Sequence, residues 1–160
     1  MAVKSFKVVQ HIPASLQQAW HFFSDPSNLP LITPEVMSFK IISQHHGGKM
    51  YPGQIIEYRV TPIAGIQMYW MTEITHVEEF KYFVDEQRFG PYAMWHHQHF
   101  FREVGDGVEM TDIVHYKNPF GFIGSMFDPL ITKPRLKMIF DYRREKIMEI
   151  FDKQHLAQLR

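Results

Sequence analysis

The densest chemistry in this chain lies between residues 82 and 116. Trp95-x-His97-x-His99-x-Phe101 reads as a strand, and residues two apart in a strand point to the same side. Both imidazoles therefore share one face. Two imidazoles at i and i+2 can be core histidines satisfied by hydrogen bonds, a proton-handling or ligand-polarising pair, or donors to zinc, copper or iron. In the next segment Met110, Asp112, Val114 and Tyr116 form the more apolar set, which turns Asp112 inward. In the preceding one, Phe83, Asp85, Gln87 and Phe89 are assigned to the interior over Tyr82, Val84, Glu86 and Arg88. Asp85 and Asp112 could do general acid–base work if desolvated, and a buried salt bridge explains them equally well.

Arg143 lies three residues after Phe140 and four before Ile147, inside an apolar helical stripe. A guanidinium there needs a partner, because burying an unpaired charge is costly. Asp112 is the first candidate and Asp85 the second. Such a pair fixes how the helix sits on the sheet, or forms a polar pole that orients a ligand's carbonyl, hydroxyl or carboxylate; both can hold together. Trp70 and Met68 share a strand face, and Tyr92, Tyr116, Phe122, Met126 and Phe127 are further positions that suit either core or cavity lining. The candidate polar contacts are His97, His99, Asp112, Arg143 and Gln87; the candidate apolar ones are Trp95, Phe101, Tyr116, Trp70 and Phe127.

The stretch from Gly90 to Gly107 imitates part of a cupin metal motif, with His97-x-His99 followed by Glu103. Cupins are all-β and need a further histidine in a later glycine-rich motif, whereas this chain turns helical after Tyr116 and His115 falls on the opposite parity from Asp112. No metal or cofactor is assigned on this reading. His11, His21, His45, His46, His76 and His155 read as surface positions. The absence of cysteine removes disulfides and thiolate chemistry. There is no P-loop, dinucleotide fingerprint, G-x-S-x-G elbow or HExxH helix. With 17 Lys+Arg against 17 Asp+Glu, electrostatic capture of nucleic acid or anionic lipid is not expected.

The elements that must position these groups follow from punctuation and period. Residues 4–12 have strand spacing and end at Pro13; Ser15 and Gln18 then form a capping-box signature ahead of Leu16, Ala19, Trp20 and Phe23 on one stripe. Asp25-Pro26 opens a second helix kept short by Pro30 and Pro34. Strands are predicted near 36–45, 54–61, 66–77, 80–88, 92–104 and 108–117, joined by short glycine- and proline-rich turns. Connections that short favour antiparallel neighbours, hence a meander. After Asn118-Pro119 the glycine-rich apolar segment 118–131 is either a loop packed shut or a mobile gate. Asp128-Pro129 precedes a helix reaching almost to Arg160, with Pro134 as a kink or its true start. Its apolar stripe is Leu136, Ile139, Phe140, Ile147, Ile150 and Phe151, and only a sheet face is large enough to receive it. The order is β-α-α-β6-α over a single domain, 1–160.

That order, with the phrases Phe83-Val84-Asp85-Glu86-Gln87, Gly90-Pro91-Tyr92, Trp95-x-His97-x-His99-x-Phe101, Thr111-Asp112 and Ile139-Phe140-Asp141-Tyr142-Arg143, resembles the SRPBCC superfamily of START-like, Bet v 1-like and polyketide cyclase/dehydrase-like domains. The resemblance implies an α+β helix-grip fold, a curved antiparallel sheet wrapped around the long C-terminal helix. It also implies a deep cavity for lipids, sterols, polyketides or plant hormones. It implies no catalytic residue, since the superfamily shares no single catalytic motif. The leading expectation is non-enzymatic binding or transport of a hydrophobic small molecule in a cavity of several hundred Å3. The alternative is an aromatase/cyclase- or dehydratase-like enzyme in which His97 or His99 moves a proton and Arg143 or a tyrosine steadies an oxyanion. A cupin-like metal enzyme and a subunit of a larger assembly are the remaining readings. No apolar run marks a leader or a membrane span, so a cytoplasmic monomer or weak homodimer is expected.

Overall fold

The computed structural model describes residues 2–43, 48–63 and 65–158, with side chains at all of these except 62–63, 125 and 153–158. His45, His46 and the side chain of His155 therefore lie outside the described residues. Strand β1 (Lys4–Ile12) leads into helix α1 (Leu16–Phe23). Ser15 caps α1 by accepting from the Gln18 amide at 3.2 Å, while its own amide donates to Gln18 Oε1 at 3.0 Å, so two first-turn donors are satisfied reciprocally. The helix buries Ala19, Trp20 and Phe23.

The second helix is a 3-10 helix, Pro26–Ile32, capped by Asp25, whose carboxylate accepts from the Ser27 amide at 2.9 Å. Pro30 inside it has no N–H to give to an i→i−4 ladder, and its ring blocks the preceding carbonyl. Of the strand expected over 36–45, residues 44 and 45 lie outside the described residues, and the described part is strand only at β2, Lys40–Ile41. A short 3-10 turn, Glu35–Met37, takes its first residues and closes on Ser38 in a left-handed conformation (φ 44°).

Five long strands follow: β3 (Gln54–Ile63), β4 (Ile66–Glu78), β5 (Tyr82–Phe89), β6 (Met94–Val104) and β7 (Gly107–Lys117). Among the described residues they form one seven-stranded antiparallel sheet in the order β1-β7-β6-β5-β4-β3-β2. The meander is as expected, with the first strand returning beside the last. Register shifts between Val60 and Ile63, Met71 and Thr72, and Ile74 and His76 bend the β3–β5 half, as bulges do.

Segment 118–131 contains a short helix, α2 (Gly121–Phe127), before the long helix α3 (Thr132–Gln158). Pro134 falls in the first turn of α3, where a missing amide costs nothing, so it marks the start of the helix and not a kink. Leu136, Phe140, Ile147 and Phe151 of α3 are buried. Each such side chain contributes roughly 1.5–3 kcal/mol by leaving water. Lys137, Arg144, Glu145 and Glu149 face outward. At one end of the core, Trp20 and Phe23 meet Phe101, Ile147 and Phe151; at the other, Tyr58, Trp70 and Ile74 pack with Met37. This is the helix-grip arrangement: a curved antiparallel sheet closed by one long C-terminal helix.

Candidate functional site

Strand register brings the charged residues together. Asp85 on β5 stands opposite His97 on β6, and Asp112 on β7 stands opposite His99. Because β6 alternates Trp95, His97, His99 and Phe101 toward the helix, the two histidines sit between two carboxylates. His97 Nε2 donates to Asp112 Oδ1 at 2.9 Å, and His99 Nε2 donates to Asp85 Oδ2 at 2.9 Å. The remaining ring nitrogens close the square: His97 Nδ1 is 3.5 Å from Asp85 Oδ2, and His99 Nδ1 is 2.9 Å from Asp112 Oδ1. That last approach is poorly aligned, leaving His99 Nδ1 buried without a hydrogen bond. The ring centroids lie 3.8 Å apart.

Burial and mutual charge split the two imidazoles. Burial, reinforced by the neighbouring His99, pushes the His97 pKa below the ordinary histidine value. Burial also opposes charging His99, but the Asp112 and Asp85 carboxylates against its two ring nitrogens outweigh it and raise its pKa. Both carboxylates feel the same burial, yet the histidines hold Asp85 and Asp112 below the usual carboxylate range. Within the cluster a proton is therefore favoured on His99 over His97, between the two carboxylates.

Arg143 brings a guanidinium to the same wall. It forms no ion pair among the described residues, its Nε is buried without a partner, and its guanidinium lies 5.0 Å from the Phe140 ring centroid. The expected direct pair with Asp112 is therefore not made; the two imidazoles lie against Oδ1 of that carboxylate instead. Burial lowers the Arg143 pKa, with the fields of Asp112, Asp85 and Tyr58 opposing the shift.

Beside this cluster lies a cavity of about 160 Å3 between the sheet and α3. Its polar wall includes Asp85, His97, His99 and Arg143, and its apolar walls include Trp70, Trp95, Ile56, Ile74, Ile139 and Phe140. The volume is below the several hundred Å3 expected from the sequence, because large rings fill the fold: Trp70 packs edge-on against Trp95 and Tyr92 and stacks with Tyr58. Tyr58 shares a 2.7 Å hydrogen bond with Thr72, which also accepts from Trp70 Nε1 at 3.0 Å. Burial, then the Asp85 charge, keeps the Tyr58 phenol protonated, and burial pushes Tyr92 up to about 12.

Of the ten residues singled out in the sequence, His97, His99, Arg143, Trp95 and Trp70 line the cavity. The other five do not. Asp112 is buried behind the histidines. Gln87 ties down the β5–β6 turn, donating to the Tyr92 carbonyl at 2.7 Å and accepting from its amide at 3.2 Å. Phe101 packs edge-on against Trp20 in the core. Tyr116 is buried with its hydroxyl bonded to Asp128. Phe127 is exposed, as are Phe122 and Met126, and no described side chain of 118–131 lines the cavity. Met68 is absent from the lining too.

Polar lining residues outside that set of ten include Asp85, Tyr58, Thr72 and Arg135 on the sheet and α3, and Asp25, Asn28 and Thr33 on and beside the 3-10 helix Pro26–Ile32. Asp85 is legible in the sequence as an inward-facing carboxylate and a second partner for Arg143, though not among the ten. Tyr58 shares strand parity with Ile56 and Val60, and Thr72 shares it with Trp70 and Ile74, a period-2 signal that could have found them. Arg135 adjoins the helix stripe beside Leu136, and its Nη2 donates weakly to the Thr61 carbonyl at 3.4 Å.

Residues 12–141 match the model of the family described as polyketide cyclase/dehydrase and lipid transport. The chain belongs to this family. Its fold is shared by protein Ms6760 from Mycobacterium smegmatis, at 16% identity over 97% of this chain and 99% of that one, with a TM-score of 0.69. It is also similar to protein TTHA0849 from Thermus thermophilus (15% identity, 92% and 99% coverage, TM-score 0.68). A START superfamily protein from Mycobacterium smegmatis matches at 13% identity, 94% and 98% coverage and a TM-score of 0.68. No curated protein matches the chain. Among the described residues no helix is long and apolar enough to cross a membrane.

Proposed function

We infer that residues 1–160 act as one ligand-binding domain of the polyketide cyclase/dehydrase and lipid transport family, holding a mostly apolar small molecule with one polar group. The observation that carries this reading is the cavity itself, a largely aromatic chamber with a charged wall at Asp85, His97, His99 and Arg143 and further charged residues, Asp25 and Arg135, elsewhere on its lining. Burial of apolar surface supplies the affinity, and the charged wall fixes which end enters first. The volume of about 160 Å3 resembles an engineered apolar cavity of roughly 150 Å3 that takes benzene. The resting chamber therefore suits a ring-sized group, and a longer ligand needs side chains such as Met37 and Met50 to move aside.

The direct test is 19F NMR of the purified protein with fluorobenzene and fluoronaphthalene. Saturable binding of fluorobenzene is expected, and it is lost in Ile56→Trp, which fills the chamber from the sheet side. Val60→Phe provides a second filling variant should the first not fold. No saturable binding to the native protein up to millimolar probe, or unchanged binding in a folded filled variant, contradicts the reading.

One observation favours a second reading, a cyclase- or dehydratase-like enzyme. His97 gives its only N–H to Asp112, so its Nδ1 carries a lone pair, and His97 lines the cavity. A neutral imidazole backed by a carboxylate is the arrangement of a general base. In that case His97→Gln abolishes turnover of a bound polyketide-like ketone and leaves its binding intact.

A further inference from the structure

Asp85, His97 and His99 present three donor atoms that all lie within 4.8 Å of one another. Asp112 accepts the Nε2 proton of His97. The free Nδ1 lone pair of that ring then faces Asp85 Oδ2 at 3.5 Å. Two electron donors facing each other across that gap repel unless a cation stands between them. The pairing also fits ligand geometry: metal–nitrogen and metal–oxygen bonds near 2.1 Å separate neighbouring donors by about 3.0–3.4 Å. His99 Nε2 and Asp85 Oδ2 are 2.9 Å apart.

From this geometry we propose that Asp85, His97 and His99 form a two-histidine, one-carboxylate site for a divalent first-row transition metal ion such as zinc or iron(II). Asp112 is the positioning residue. It bonds His97 on the nitrogen away from the metal, and its Oδ1 lies 2.9 Å from His99 Nδ1. That second nitrogen lacks an aligned partner at present; releasing Nε2 from Asp85 to a metal frees the ring to turn Nδ1 onto Asp112. Carboxylate support behind a ligating imidazole is the usual means of fixing its tautomer and orientation. The three ligands all line the cavity, so the open coordination positions face the chamber where a bound molecule would present an oxygen. The two carboxylates neutralise a divalent ion, and Arg143 leaves the wall favourable to an anionic oxygen.

In the incomplete cupin-like motif of the sequence, the carboxylate that follows the two histidines is Glu103. It lies exposed near the end of β6, whereas Asp85 reaches the histidines from the neighbouring strand, a partner fixed by register and invisible to a linear motif. The site stands independently of the apolar-ligand reading, which is measured with metal-free protein.

The experiment is titration of untagged, chelator-treated protein with cobalt(II), read by d–d absorption, and with zinc(II), read by calorimetry. One ion per chain is expected. Asp85→Asn and His97→Gln should weaken binding by at least ~100-fold, and Asp112→Asn by about 10–100-fold. A control triple variant at the exposed His11, His21 and His76 should bind as the native protein does. Absence of one-to-one binding overturns the proposal, as does binding that survives Asp85→Asn or vanishes in the control triple. Asp85→Asn is nearly isosteric and decides the matter if His97→Gln does not fold.

Discussion

Asp112 is the more deeply buried of the two carboxylates that both imidazoles lie against. Truncating one member of a buried charged set leaves its partners uncompensated, at roughly 3–5 kcal/mol. Asp112→Ala is therefore predicted to lower unfolding free energy by that amount in urea melts, and Asp112→Asn by less, because an amide keeps one acceptor. The histidines should titrate apart in metal-free protein. The raised His99 pKa means its stabilisation is complete below the ordinary value of about 6.5 and is lost as pH rises through the raised value. The lowered His97 pKa works in reverse: its contribution is present above about 6.5 and lost as pH falls through the lowered value. The depressed Asp85 and Asp112 add stability above the usual carboxylate range, lost in strong acid. NMR of the ring protons should show one imidazole titrating above 6.5 and one below; joint titration near 6.5 would contradict the shared-proton cluster. The inward turn of His97, His99 and Asp112 was legible because parity in a strand is a local property. Asp85's place opposite His97 was not, because register is set by the whole sheet.

At the scale of elements, caps and close approaches decide what can change. Removing the Ser15 side chain breaks the capping box of α1, so Ser15→Ala should cost about 1 kcal/mol, measured by thermal or urea unfolding. Gly107 is tighter: a Cβ there would run into the Ile12 carbonyl oxygen and the His11 ring, where β1 ends against β7. Gly107→Ala is predicted to destabilise by more than Ser15→Ala and to expose the β1 amides in hydrogen exchange; unchanged protection would refute the contact. The meander and the long helix were readable because turn residues and a helical stripe repeat over many positions. The segment between Asp25 and Ile41 was not: Pro30, Pro34 and the left-handed Ser38 redirect the backbone at single residues, and such steps leave no periodic trace. Segment 118–131 hid its helix for a similar reason, since glycine at 121 and 124 reads as loop.

For the whole molecule, the sheet and α3 enclose a chamber whose walls were predictable and whose size was not. The stripe of α3 and the inward faces of β6 and β7 could be assigned residue by residue, but the free volume depends on how Tyr58, Trp70, Tyr92 and Trp95 pack together. Rotamers of large rings decide that. Shrinking one of them should enlarge the chamber: Trp70→Leu is expected to destabilise the fold by a few kcal/mol and to shift probe preference from fluorobenzene toward fluoronaphthalene. The central claim, that the chamber exists to hold a small molecule, is tested most directly by comparing native and denatured masses of untagged protein purified from its own source. The account predicts a one-to-one adduct in the native spectrum that is released on denaturation as a mostly apolar compound with a single polar group. A native mass equal to that of the bare chain, or a released compound that is wholly polar, would contradict it.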